Sequence, residues 1–197
     1  MINVPFFENT EDDTHCFQAA LKMLLKHYFP DEDYSFNQLD LITNKPKDKW
    51  TWPMAGLAYM KQKGLEVIHI STLDYIRLAN EGREYLKRYF SPQNYTIQDS
   101  NSNLDMAQMD AKKYIHSGVL IQDRKPIYND ISRLIKNGYL LICYVNYKHF
   151  IVVYDIDDKC IYFHNPGLPK NLNSQKLTRA NFKMIWHNGQ VMAFKLI

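Results

Sequence analysis

Apolar residues recur in the N-terminal part of the chain with a helical period. Phe17, Ala20, Leu21, Leu24, Leu25 and Tyr28 fall at i, i+3, i+4, i+7, i+8 and i+11, one face of a helix, with Lys22 and Lys26 off that face. Asp13 or Thr14 is suited to cap its start, and Pro30 ends it. A second helix is predicted over about 52–63, closed by Gly64, and a short strand over 65–70. From 72 to 118 the pattern is mostly helical. Leu73, Ile76, Tyr85, Leu86 and Tyr89 carry its first part, and Leu104, Met106, Met109, Ala111 and Ile115 its second. The polar stretch 91–103 between them reads as a loop. Ile127, Ile131, Leu134 and Ile135 mark another short helix, ended by Asn137-Gly138.

Beyond Gly138 the period changes to that of strands. Residues 139–146 form a near-continuous apolar run, as a strand buried on both faces would. A strand over 149–156, the turn Asp157-Asp158-Lys159 and a return over 160–164 make a hairpin. Phe182 and Trp186 anchor a short helix, and 190–197 is a final strand. Helices come first and an antiparallel meander last, so the predicted class is α+β. There is no internal repeat and no low-complexity segment. The reading is one domain over 1–197 with a helical insertion at about 72–118.

Composition narrows the partners. The chain has 197 residues, 46% hydrophobic and 14% aromatic, enough for a packed core. A formal net charge of +3, from 24 basic and 21 acidic residues in scattered order, argues against nucleic acid or an anionic membrane as partner. Three cysteines, Cys16, Cys143 and Cys160, make no disulfide framework and suit a reducing compartment. The start, Met1-Ile2-Asn3-Val4-Pro5-Phe6-Phe7, lacks the basic and apolar regions of a signal peptide. No run reaches the ~18 apolar residues of a membrane span. A cytoplasmic protein is expected, with signal-independent export left open.

The chemistry begins at Cys16, which opens the first helix. Unpaired N–H groups and the helix dipole there favour a thiolate, while Asp12 and Asp13 oppose it. An imidazolium would tip the balance, and His149, at the head of a strand, is the candidate. Asn165, at the end of the neighbouring strand, would orient the ring through its second nitrogen. Each residue taken alone has a plainer reading: a small buried hydrophobe, a strand histidine, a turn residue before Pro-Gly. Their order and placement carry the chemical one.

These residues stand in a wider pattern. Val4-Pro5-Phe6-Phe7, Cys16-Phe17-Gln18-Ala19-Ala20, His149-Phe150-Ile151-Val152-Val153-Tyr154 and Asn165-Pro166-Gly167 follow one another, with Phe182 and Trp186 after them. The chain resembles the papain-clan cysteine peptidases, in the stand-alone branch related to bacterial double-glycine leader (bacteriocin-processing) peptidases. The resemblance implies a papain-like fold, N-terminal helices packed on a C-terminal antiparallel sheet. It implies Cys16 as nucleophile, His149 as general base and acid, Asn165 as orienting residue, a peptide or amide substrate, and no cofactor. Its oxyanion position, usually Gln, corresponds by spacing to Asn9, which still carries an amide donor. Where many relatives have Gly-Pro after the cysteine this chain has Phe17-Gln18, so Phe17 is expected to narrow the cleft.

Three functions fit this reading. The first is a cysteine-dependent hydrolase of a peptide-like amide bond. The second is an inactive peptide- or partner-binding module of the same fold, motivated by Asn9 and Phe17. The third is a thiol-dependent acyltransferase. Trp50 and Trp52, near Pro53, could line a substrate groove or simply seat the second helix. Tyr144, Tyr147 and Tyr154 read as core and cleft walls. Cys160 and His164 share a strand spacing, but no metal site is expected without a Cys-x-x-Cys pair or a fourth ligand. His164 faces away from Asn165.

Overall fold

The helical stripe that begins at Phe17 becomes α1 (Cys16–Tyr28) in the computed structural model, which describes residues 2–146, 148–167, 174–187 and 189–197. It is followed by α2 (Phe36–Thr43), α3 (Met54–Gln62) and β1 (Leu65–Ser71). Four helices come next: α4 (Tyr75–Glu81), α5 (Arg83–Tyr89), α6 (Pro92–Asn101) and α7 (Leu104–Tyr114). Then come β2 (Leu120–Asp123), α8 (Tyr128–Lys136), β3 (Leu140–Val145), β4 (His149–Ile156) and β5 (Cys160–His164). The described part closes with β6 (Ser174–Thr178), α9 (Arg179–Trp186) and β7 (Val191–Leu196).

Among the described residues the strands form one sheet in the order β2-β1-β7-β3-β4-β5-β6. Only β1 and β2 run parallel. Strand alternation divides the core between the two faces. Leu140, Ile142, Phe150 and Val152 pack with Leu21 and Leu24 of α1 and Leu57 of α3. Leu141, Cys143, Ile151 and Val153 pack with Ile131 and Leu134 of α8 and with Phe182 and Trp186 of α9. The N-terminal helices thus cover one face and α8 and α9 the other, so the central strands are apolar on both sides.

Several local expectations change. The stretch 91–103 is not a loop: Pro92–Asn101 is helical although none of its residues is buried. Ser91 caps it, Pro92 sits in its first turn, and polar ties replace an apolar face. Lys49 Nζ donates to the Ser100 carbonyl (2.8 Å), the Trp50 N–H to the Asn101 carbonyl (2.6 Å), and Arg83 pairs with Asp99. Neither Asp13 nor Thr14 caps α1; the N-cap is His15, which makes no side-chain capping bond. The additional elements α2, β2 and β6 are short, and β2 and β6 form the sheet's two edges. An edge strand is paired on one side only and so carries a weak burial pattern.

One irregularity controls the site. Between Val153 and Asp155 the β4–β5 register shifts by one residue, a β-bulge. On the turn side Asp155 faces Tyr162; beyond the bulge Val153 faces Phe163 and Val152 faces His164.

A buried histidine on β1 makes stability pH-dependent. His69 donates from Nε2 to Gln190 Oε1 (2.7 Å), and its Nδ1 takes the Tyr114 hydroxyl (2.8 Å). Burial lowers its pKa from 6.5 to about 4. Between those values the unfolded chain binds a proton that the fold does not, so stability rises with pH across that window. We expect the wild-type chain to lose about 3 kcal/mol more than His69→Gln when denaturation is compared at pH 7 and pH 4. Equal losses in the two chains would remove His69 from this account.

Candidate active site

The site is built at the open ends of β4 and β5. His149, half-buried, opens β4, and its Nε2 lies 2.7 Å from Asn165 Oδ1, just past β5. The same Oδ1 accepts the backbone N–H of Gly167 (3.0 Å), so this atom is the amide's oxygen. The imidazole must therefore donate from Nε2, which leaves the lone pair of a neutral ring on Nδ1. Gly167 completes the support: a Cβ there would come 3.0 Å from His149 Cε1 and 3.2 Å from Nε2. Gly167 was not anticipated as a site residue, although Asn-Pro-Gly is a turn signature in which an Asn oxygen can accept the N–H two residues on.

Cys16 is the first residue of α1. The backbone N–H of Phe150, the residue after His149, faces its thiol, and this bond and the α1 N–H groups of Cys16 and Phe17 favour thiolate. Burial outweighs them and pushes the thiol up to about 11, with the Asp13 carboxylate adding to the rise. The expected helix-start effect is present, but desolvation of a side chain sunk between α1 and β4 is larger. Burial also lowers the His149 pKa, against smaller upward contributions from Asn165 and Asp13. Both groups are therefore neutral at rest near pH 7.

Asn9 belongs to a knot of short-range bonds ahead of α1. Its Oδ1 accepts the N–H of Thr10 (3.0 Å) and of His15 (2.8 Å), and its Nδ2 donates to Asp13 Oδ1 (2.6 Å). Its own N–H donates to the Pro166 carbonyl (2.8 Å), tying this loop to the turn that holds Asn165. Asp13 adopts a left-handed backbone (φ 55°), which Asp tolerates better than most residues. Farther along, His164 Nε2 donates to the Val4 carbonyl (2.8 Å) and fixes the N-terminal segment to β5.

A cavity of 320 Å³ opens beside the thiol, and Cys16, Phe17, Trp50 and Trp52 all line it. Phe17 is buried in the wall rather than projecting into the cleft: its ring packs on Phe150 (centroids 5.1 Å apart) and against Gly56, where a Cβ would lie 2.8 Å from Phe17 Cε1. Tyr144 also lines the cavity, Tyr154 is buried in the core, and Tyr147 lies outside the described residues. The far wall comes from Tyr75, Tyr89, Phe90 and Gln98, in the helical stretch 72–118. No periodicity marks those residues as site residues.

No family model and no curated protein sequence matches the chain. Solved structures do. The double glycine motif protease of an AMS/PCAT transporter, determined in complex with the leader peptide, aligns over 100% of this chain and 94% of its own, with a TM-score of 0.54 and 15% identity. The chain has the fold of double-glycine peptidase domains. The peptidase domain of Streptococcus ComA, a bifunctional ABC transporter involved in a quorum-sensing pathway, aligns over 99% of this chain and 100% of its own, with a TM-score of 0.55 and 16% identity. The papain-like architecture expected from the motifs is therefore the one adopted.

The electrostatics give a direct test. Asp13→Asn removes a negative charge that raises the Cys16 pKa. The pH-rate profile for Cys16 alkylation should move to lower pH in that variant, while remaining above that of a free thiol because burial persists. An unchanged profile would show that Asp13 does not act on the thiol.

Proposed function

We propose that the chain is a cysteine-dependent hydrolase of a peptide-like amide bond, with Cys16 as nucleophile, His149 as general base and acid, and Asn165 as the residue that orients the ring. The observation that carries this reading is the His149–Asn165 bond, which spends Nε2 and leaves Nδ1 as a proton acceptor, on a strand whose next residue, Phe150, turns its backbone N–H to the Cys16 thiol.

Because both groups rest neutral, proton transfer and attack are coupled. The Cys16 thiol passes its proton to His149 Nδ1 as sulfur bonds to the carbonyl carbon. The backbone N–H of Cys16 and an Nδ2 hydrogen of Asn9 are the donors for the developing oxyanion. His149 then protonates the leaving amine as the C–N bond breaks. Water next gives a proton to His149 and attacks the thioester, the C–S bond breaks, and Cys16 regains its proton. An amine in place of water would make the same site an acyltransferase. We read the chain as a single papain-like unit with a helical insertion at 72–118, acting in the cytoplasm. Among the described residues, no helix is long and apolar enough to cross a membrane.

A second reading, a binding module that keeps the cleft without turnover, draws on one observation. Asn9 Nδ2 already donates to Asp13, and the same carboxylate raises the thiol pKa. Turnover requires Asn9 to use its other amide hydrogen or to exchange partners. The two readings separate experimentally. Cys16→Ser should abolish cleavage of a peptide library read by mass spectrometry while changing stability by less than about 1 kcal/mol. His149→Ala should slow cleavage roughly 10²- to 10⁴-fold. If the peptide library is not cleaved and His149→Ala leaves the iodoacetamide labelling rate of Cys16 unchanged, the binding-module reading stands instead.

A further inference from the structure

The cavity beside Cys16 is larger and more aromatic than a site for small residues needs. Its 320 Å³ is about twice the roughly 150 Å³ engineered apolar cavity, known from another protein, that accepts a benzene. It also falls at the lower end of the range for ligand pockets, about 300–1,000 Å³. Phe17 and Phe150 flank its thiol end, and Trp50, Trp52, Tyr89 and Phe90 are among its other walls. These walls are fixed from several directions. Phe17 is wedged between Phe150 and Gly56, Trp50 is tied by its backbone to the end of α6, and Phe90 ends α5 with its N–H on the Leu86 carbonyl. Among the described residues, formal charge in the lining comes from Asp13, three residues before Cys16, and Lys148, next to His149, so little charge opposes an apolar guest.

We propose that Cys16 acts on peptides carrying a bulky aromatic residue beside the scissile bond, of two-ring size, rather than the double glycine of the solved transporter peptidases. This inference rests on the hydrolase reading above and adds the substrate class. An aromatic group in the cavity gains burial against Trp50, Trp52, Tyr89 and Phe90, and it places the adjoining carbonyl at the sulfur. A glycine pair would leave the same walls without a guest.

The test compares three thiol-alkylating probes on the whole chain at one pH: iodoacetamide, N-(1-naphthylmethyl)iodoacetamide and iodoacetyl-glycylglycinamide. In each reaction the sulfur–carbon bond forms as iodide leaves and the thiol proton passes to base. Cys16 labelling is followed by peptide mass spectrometry, and each rate is divided by that probe's rate with glutathione. The naphthyl probe should exceed the other two by roughly 10- to 100-fold. Ser102→Phe, which fills the cavity, and Trp50→Ala, which removes a wall, should each reduce the ratio of the naphthyl rate to the iodoacetamide rate. If either variant misfolds, protection of wild-type Cys16 from iodoacetamide by 1-naphthylmethanol, with none by glycylglycinamide, reports the same preference. Equal normalised rates for the three probes, or a preference for the glycylglycine probe, overturn the proposal. They leave the catalytic reading intact if His149→Ala still slows iodoacetamide labelling. Loss of that His149 dependence, with the naphthyl preference retained, overturns the catalytic reading alone.

Discussion

The meeting of Asn165 with His149 depends on a one-residue slip in strand pairing. On the turn side of the hairpin Asp155 faces Tyr162, and that register carried onward would set Asn165 opposite Val152. Asn165 would then point to the other face of the sheet from His149, because neighbouring strand positions alternate. The bulge between Val153 and Asp155 shifts the count, so His164 faces Val152 and Asn165 joins the face of His149. His164 turns instead to the Val4 carbonyl and holds the N-terminal segment. One extra residue in β4 therefore sorts two adjacent polar residues into different tasks.

The remaining site geometry follows from what must pack around that hairpin end. α1 covers β4 through Phe17, Leu21 and Leu24, which sets the first residue of α1 beside the backbone of Phe150. The loop before α1 is closed by Asn9 and anchored to Pro166, so the thiol, the oxyanion candidate and the Asn165 turn are mechanically joined. The same packing desolvates the sulfur. A helix start stabilises a thiolate only where solvent or a cation shares the charge, and here burial and Asp13 dominate. The resting state is consequently a neutral thiol and a neutral imidazole.

The cavity shows how the stretch 72–118 enters the site. α6 buries nothing of its own and is fastened by Arg83, Lys49 and the backbone of Trp50. In that position it brings Gln98 to the cavity, while the end of α5 contributes Tyr89 and Phe90. Local sequence there specifies helices, and the shape of the pocket arises from how those helices meet the 50–53 segment.

By itself the sequence determined the elements with strong periodicity. α1, α3 and the strands β3, β4, β5 and β7 are legible because each buries a regular set of apolar positions. It also singled out Cys16, His149 and Asn165, whose types and order restrict the chemistry. Elements with little burial, α2, α6 and the edge strands β2 and β6, left no such pattern; α6 in particular is held by ion pairs and backbone bonds to residues distant in the chain. The bulge that aligns Asn165 with His149, the burial that governs the Cys16 proton, and the aromatic walls of the cavity were decided only by the tertiary structure. Each depends on which segments lie against each other, and linear spacing does not encode that.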